Sequence, residues 1–306
     1  MSEAEDKTLR MRQLVDQLNT AADAYYNGKT EQMTDYEWDA MFDELKKLEQ
    51  ETGEILPDSP TNRVSADSIA GQKEPHEFPA LSLAKTKKPE DLVKWAEGRP
   101  IWLSWKLDGL TLVVTYDNGK LTKVVTRGDG HIGTNITHLS SAIHGILPEI
   151  TEKGHLVIRG EAVISYADFE KFRMESDEDY ANPRNLASGS LSLKDVEEVK
   201  RRGIRWIPFT LVFTEHEIVS WGERMAFLEG LGFHTVDHER IDHPDLETIN
   251  SRIHAWTEKV TDGSNPYPVD GLVISYDDTV YASTGSVTGH HATRAGYAFK
   301  WQDESA

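Results

Sequence analysis

The chain has no cysteine among its 306 residues. That excludes disulfides, thiol nucleophiles and any cysteine-ligated zinc site. It suits a cytoplasmic protein. Long hydrophobic runs are missing too: no stretch reaches the roughly 18 apolar residues of a membrane helix, so no membrane association is expected. The N-terminus, MSEAEDKTLRMRQ, is polar and acidic and is no signal peptide. Basic residues are scarce, 33 lysines and arginines against 52 acidic residues, for a net charge of −19. So acidic a chain is a poor stand-alone binder of nucleic acid, whose affinity comes largely from neutralised phosphates. There is no internal repeat and no low-complexity segment.

What is present reads as α+β. Residues 5–27 place Leu9, Met11, Leu14, Leu18, Ala21, Ala22 and Tyr25 at helical spacing. A second helix starts at Thr34 with Glu37 three residues on, a capping box, and carries the stripe Trp38, Met41, Phe42, Leu45 and Leu48. The prolines of PDSPTNRV (57–64) end it, so residues 1–66 form a small helical hairpin. Beyond it, β-type runs at 101–105, 110–116, 121–126, 156–164, 205–213, 271–276 and 297–301 alternate with helix-like segments at 89–97, 134–145, 166–175, 194–202, 221–230 and 245–260. Asn118-Gly119 between two apolar runs signals a tight hairpin. Hairpins mixed with helices predict mainly antiparallel sheets flanked by helices over 67–306.

One lysine stands out. Lys106 interrupts the apolar run IWLSWKL, followed by Asp108 and Gly109. It can be a strand-end lysine whose head reaches solvent. It can also be a nucleophile, which requires the neutral amine. An unperturbed lysine, with a pKa of ~10.4, is only about 0.1% neutral near neutral pH. Burial and nearby cations would lower that pKa.

Further blocks accompany KLDG (106–109) in a fixed order: TRGDG (126–130), IRGEAVI (158–164), YANPRNLASGSL (180–191), VDGLVISYDD (269–278) and AFKW (298–301). KLDG matches the K-x-D-G signature of covalent nucleotidyltransferases, and the ordered set resembles NAD-dependent DNA ligases. YYNGKTEQMTDYEWDAMFDELKKLE followed by LPDSPTNRV resembles the helical module of that family alone. The resemblance covers about residues 10–302.

The resemblance implies a helical module for nicotinamide mononucleotide (1–66) and a nucleotidyltransferase, ATP-grasp-like adenylation domain (67–306). Lys106 would attack the α-phosphorus of NAD, expelling nicotinamide mononucleotide and leaving lysyl-AMP. Lys300 would contact the phosphate and Asp108 would orient the nucleophile or ribose. Glu161 would hold the ribose or, through water, magnesium. Gly109 would admit the nucleotide closely. Arg127 and Arg184 would face phosphates, and Phe209 and Val273 would sandwich adenine. By the same resemblance Ser82, Leu83, Ser104 and Leu107 would be further nucleotide-binding positions. Tyr25, Tyr26, Asp35, Trp38 and Asp39 would meet the nicotinamide half, with aromatic and carboxylate groups suited to a cationic pyridinium.

Three positions depart from the family pattern. Ser104 replaces a glutamate that reads adenine, Ser275 a lysine and Ser192 an arginine; Lys194, Arg294 and His290/His291 are the candidates to compensate. Full members of the family continue into an OB-fold, a four-cysteine finger and further DNA-encircling domains. The chain is therefore expected to be the first part of a longer ligase, monomeric, using NAD and magnesium and engaging nicked DNA weakly by itself. The alternatives are an ATP- or GTP-dependent nucleotidyltransferase of RNA ligase or capping type, and a catalytically weakened nucleotide-binding relative, suggested by the three serines.

Overall fold

A computed structural model describes residues 2–26, 33–61, 69, 71–80, 82–284 and 294–301, without the side chains of Tyr25, Tyr26 and Asp35. Two helices open the chain, α1 (Glu3–Tyr26) and α2 (Asp35–Thr52). Strands β1 (Lys73–Pro75) and β2 (Ala84–Thr86) follow, then α3 (Pro89–Ala96). Next come β3 (Ile101–Leu107), β4 (Leu110–Asp117), β5 (Lys120–Thr126), β6 (Ile132–Thr134) and β7 (Leu156–Val163). Helices α4 (Tyr166–Glu175), α5 (Pro183–Ser190) and α6 (Val196–Arg201) precede β8 (Arg205–Thr214). The chain continues through α7 (Trp221–Gly230), β9 (His238–Ile241), α8 (Leu246–Thr261), β10 (Val269–Tyr276), α9 (Thr279–Ser283) and β11 (Tyr297–Lys300).

The hairpin forms as its sequence dictates. Thr34 accepts from the Glu37 amide while the Glu37 side chain accepts from the Thr34 amide, and Gly53 closes α2 in the left-handed region (φ 69°). Met11, Leu14, Val15, Leu18 and Leu45 are buried between the two helices, with Trp38, Met41 and Phe42 packed around them. Leu9, expected in this stripe, is instead exposed.

Beyond the hairpin, β1 and β6 form a two-stranded antiparallel pair, and two larger sheets carry the other strands. One has the order β2-β11-β10-β3-β9 and is antiparallel except for the parallel pair β2–β11. The other, β5-β4-β7-β8, is antiparallel throughout. Alternation along β3 and β10 sorts side chains by face. Leu103, Trp105, Leu272, Ile274 and Phe299 join Leu92 of α3 and Ile249 and Trp256 of α8 in one apolar cluster. Each such side chain contributes about 1.5–3 kcal/mol on burial. The opposite face carries Trp102, Ser104, Lys106, Val273 and Lys300. In the four-stranded sheet, Leu112, Val114, Ile158 and Ala162 enter a second core, which leaves Thr111, Arg159 and Glu161 on the other face. Only Asp108 and Gly109 separate β3 from β4, so the two polar faces lie within electrostatic reach of one another.

Two expectations change. Residues 134–145 form no long helix: Thr134 ends β6, and only Thr137–Ala142 make a 3-10 turn. The backbone of this segment instead pairs with neighbouring strands, Asn135 with Gln72 and Ile136 with Val124. Conversely, NPRN, which lies in none of the expected strands or helices, starts α5. Asn182 caps the Asn185 amide and Pro183 takes the first turn, where its missing N–H costs nothing.

Candidate active site

The site grows from the register of the five-stranded sheet. Gly271 of β10 pairs with Lys106 on one side and Lys300 on the other. Paired residues share a face, and glycine leaves the space between the two ammonium groups open. The backbone crowds this position: a Cβ on Gly271 would stand 2.0 Å from the Phe299 carbonyl oxygen. Asp270, one residue earlier, fills the gap. The Lys106 ammonium donates to both its oxygens, at 3.0 and 3.1 Å, and Lys300 Nζ lies 3.5 Å from Oδ2. The line continues into the hairpin. Lys300 lies 3.9 Å from Asp39 of α2, and Lys85 of β2 lies 3.0 Å from the other Asp39 oxygen. Lys106, Asp270, Lys300, Asp39 and Lys85 thus alternate in charge.

These pairs set the protonation states. Burial disfavours the Lys106 ammonium, but Asp270, helped by Asp108 and Glu161, outweighs it and raises the lysine above its ordinary pKa. The sequence-based expectation of a lowered value is corrected here: the group facing Lys106 most closely is a carboxylate. Asp270 is lowered despite its burial, because Lys106 and Lys300 flank it. Lys85 is lowered by burial and then by Lys300, Asp39 only partly opposing this, although a third of its side chain meets solvent (32%).

The four-stranded sheet contributes a different arrangement. Glu161 accepts from the Thr111 hydroxyl at 2.7 Å and the Gly109 amide at 3.2 Å. Burial pushes its carboxyl up to about 7 against these bonds and the charges of Arg127 and Lys106. Arg159 does not bond Glu161; it donates to the Pro79 carbonyl at 2.7 Å. Arg159 is lowered to about 10 by burial and then by Arg127. Arg184 of α5 stands 3.6 Å from Asp108 and is lowered to about 9 by burial, Asp270 opposing. Gly109 is tightly packed, since a Cβ would meet the Ala162 carbonyl at 2.1 Å.

Eight of the sequence-predicted residues come together here: Lys106, Asp108, Gly109, Glu161, Arg127, Arg184, Lys300 and Asp39. Trp38 stacks on Phe42 with 5.0 Å between rings, donates to the Leu18 carbonyl, and has Lys85 at 5.2 Å over its ring. Ser104, Val273 and Ala298 form one cross-strand row. Half-buried Phe209 packs against the apolar cluster of the five-stranded sheet. Ser82 is exposed and Leu83 lies against Gly296, just ahead of β2. Leu107 belongs to the apolar cluster, so its side chain faces away from Lys106. The side chains of Tyr25, Tyr26 and Asp35 lie outside the described residues, as do His290 and His291. Of the other compensating candidates, Arg294 bonds Thr284 and stacks on Tyr281, and Lys194 is exposed.

Two members of the charge line, Asp270 and Lys85, escaped the residue-level reading. Asp270 had a usable signal: the Asp-Gly pair of KLDG recurs at 270–271. Lys85 had none, being one lysine in SLAKTKK.

Residues 71–304 match the NAD-dependent DNA ligase adenylation domain, and residues 4–65 match the DNA ligase-like N-terminal NAD+-binding domain. DNA ligase of Lachnoclostridium phytofermentans is 37% identical over 304 residues, covering 97% of this chain and 46% of its own length. DNA ligase of Ruminiclostridium cellulolyticum is 37% identical over 305 residues, covering 98% and 46%. This chain therefore spans about half the length of the curated relatives it matches. Among solved structures, an archaeal ATP-dependent RNA ligase aligns at 13% identity with a TM-score of 0.42, over 73% of this chain and 48% of its own; nothing is argued from so slight a likeness.

Proposed function

The chain belongs to the NAD-dependent DNA ligase family, and on that premise we propose that it adenylates itself on Lys106 from NAD, the first step of nick sealing. The observation that carries this reading is the Lys106–Asp270–Lys300 constellation, a single carboxylate straddled by two ammonium groups on one sheet face.

In this reading the Lys106 nitrogen attacks the α-phosphorus of NAD. The N–P bond forms as the P–O bond to nicotinamide mononucleotide breaks, and Lys106 gives up its protons. Asp270 holds the ammonium with both oxygens and is placed to take one of them. That transfer must come first, because the ammonium has no lone pair; the neutral amine then attacks, and the nitrogen's second proton leaves to solvent once the N–P bond has acidified it. Negative charge gathers on the phosphoryl oxygens in the transition state, where Lys300 and Arg184 supply fixed positive charge. Asp108 and Glu161 orient the nucleotide, and Ser104, Val273 and Phe209 form the adenine side. Trp38 and Asp39 receive the nicotinamide side. The same reading divides the chain at residue 66, between a nicotinamide-mononucleotide module and an adenylation domain.

Among the described residues no group of three acidic or histidine side chains could hold a metal ion. A cage made by the protein alone does not fit. The donor set fits a magnesium ion carried mainly on substrate phosphates and water, with Glu161 reaching it through water. When bound there, magnesium would neutralise phosphate charge. Nicked duplex DNA is the proposed acceptor of AMP, in replication and repair in a bacterial cytoplasm, with the chain acting as a monomer. The −19 charge argues that its own contribution to DNA binding is weak. No helix among the described residues is long and apolar enough to cross a membrane.

The test is an intact mass after incubation with NAD or ATP plus magnesium. A gain of one AMP from NAD and none from ATP is expected. Labelling from ATP alone would overturn the NAD reading, and no adduct from either would overturn adenylation.

A further inference from the structure

Lys85 has no part in the chemistry above, yet it closes the charge line. Residues of β2 and β11 run parallel, with Lys85 beside Ala298. Ala298 and Lys300 are two apart on β11 and share a face, so Lys85 and Lys300 project from the same side of the sheet. Asp39 descends onto them from α2, one oxygen to each lysine. The closer contact is to Lys85, at 3.0 Å against 3.9 Å. The ammonium of Lys85 also lies over Trp38, the neighbour of Asp39 on the helix. One lysine of the adenylation domain therefore grips two adjacent side chains of the hairpin, both on the nicotinamide side of the proposed site.

We propose that Lys85 is a positioning residue for the nicotinamide half of NAD: it seats α2 over the cleft so that Asp39 and Trp38 stand ready for the substrate. Without it, Asp39 keeps one longer contact, to Lys300, which Asp270 also claims. A less ordered Asp39 costs binding of the dinucleotide before it costs chemistry, because Lys106, Asp270 and Lys300 do not depend on Lys85 for their mutual contacts. The three ammonium groups exceed the two carboxylates by one positive charge. That surplus complements a ligand whose pyrophosphate carries two negative charges and whose pyridinium carries one positive. Lys85 thereby deepens the NAD reading and rests on it.

The experiment compares the parent chain with Lys85→Met, which keeps the apolar stem, and Lys85→Arg, which keeps the charge. Self-adenylation kinetics are followed by mass, and binding of nicotinamide mononucleotide by calorimetry. Lys85→Met is expected to raise the NAD concentration giving half the limiting adenylation rate about ten-fold, with the limiting single-turnover rate within about two-fold, and to weaken mononucleotide binding by a similar factor. Lys85→Arg is expected to restore most of both. An unchanged half-saturating NAD concentration with an unchanged mononucleotide affinity in Lys85→Met would overturn the proposal, as would a loss confined to the limiting rate. A parent that binds the mononucleotide but gains no AMP would bring down the adenylation reading instead. The mononucleotide affinities would then decide the role of Lys85 by themselves.

Discussion

Lys106 and Glu161 are ionisable side chains on two different sheets, the first partly buried and the second buried, and their surroundings treat them in opposite ways. Lys106 meets a full counter-charge at 3.0 Å and stays charged. Glu161 meets a hydroxyl and a backbone amide, and burial carries its carboxyl up to about 7, toward the neutral acid. Neutral donors soften the desolvation of a charge; an opposite charge in direct contact reverses it. At rest the lysine side therefore favours the ammonium. The glutamate side changes protonation near neutral pH.

Breaking the lysine side should have the largest effect. Asp270→Asn leaves Lys106 with a neutral partner, as Glu161 has. The rate of adenylation from NAD is expected to fall about a hundred-fold or more, the usual size of a lost proton acceptor. A single-turnover rate within a few-fold of the parent would show that Asp270 does not take the proton.

The glutamate side is read through stability. The folded protein keeps the Glu161 proton to about pH 7, the unfolded chain only to about pH 4.3. Stability from this group is therefore full below about 4.3 and is lost as the pH rises through 7. Glu161→Gln, neutral at every pH, is expected to gain about 1–3 kcal/mol over the parent at pH 8 and to match it within about 0.5 kcal/mol at pH 4. Denaturant midpoints at the two pH values measure this. A gain at pH 4 that vanishes at pH 8 has the wrong sign for a raised carboxyl.

The smallest effect sharpens the contrast. Thr111→Val removes the 2.7 Å hydroxyl bond that favours the carboxylate, a contribution of about 1 kcal/mol. The Glu161 carboxyl should move further up, by less than a tenfold change in its proton affinity, as read by carbon-13 NMR titration. A downward move would mean that the hydroxyl accepts from the acid rather than donating to the carboxylate.

Much of this contrast was legible in the amino-acid order. The strands carrying Lys106, Glu161 and Lys300 show as β-type runs, because alternation of apolar residues is local. The motif blocks supply the candidate residues. Four short strands, at 73–75, 84–86, 132–134 and 238–241, carry no readable period over three or four residues. One of them is β2, whose place depends on a parallel partner more than 200 positions away in the chain. Lys85 was hidden for that reason. The pairing that raises Lys106 was hidden too, since Asp270 reaches it across 164 residues of sequence. Local pattern shows which side chains leave the core; only the register shows which opposite charge each one meets.

The most direct measurement is the position of the AMP after reaction with NAD and magnesium, found by peptide mapping of the adenylated chain. Three lysines of one charge line compete as acceptors, and only Lys106 has both oxygens of a carboxylate on its ammonium. AMP on Lys106, with no adduct in Lys106→Ala, is the expected result. AMP on Lys300 or Lys85, or an adduct that survives Lys106→Ala, would contradict it.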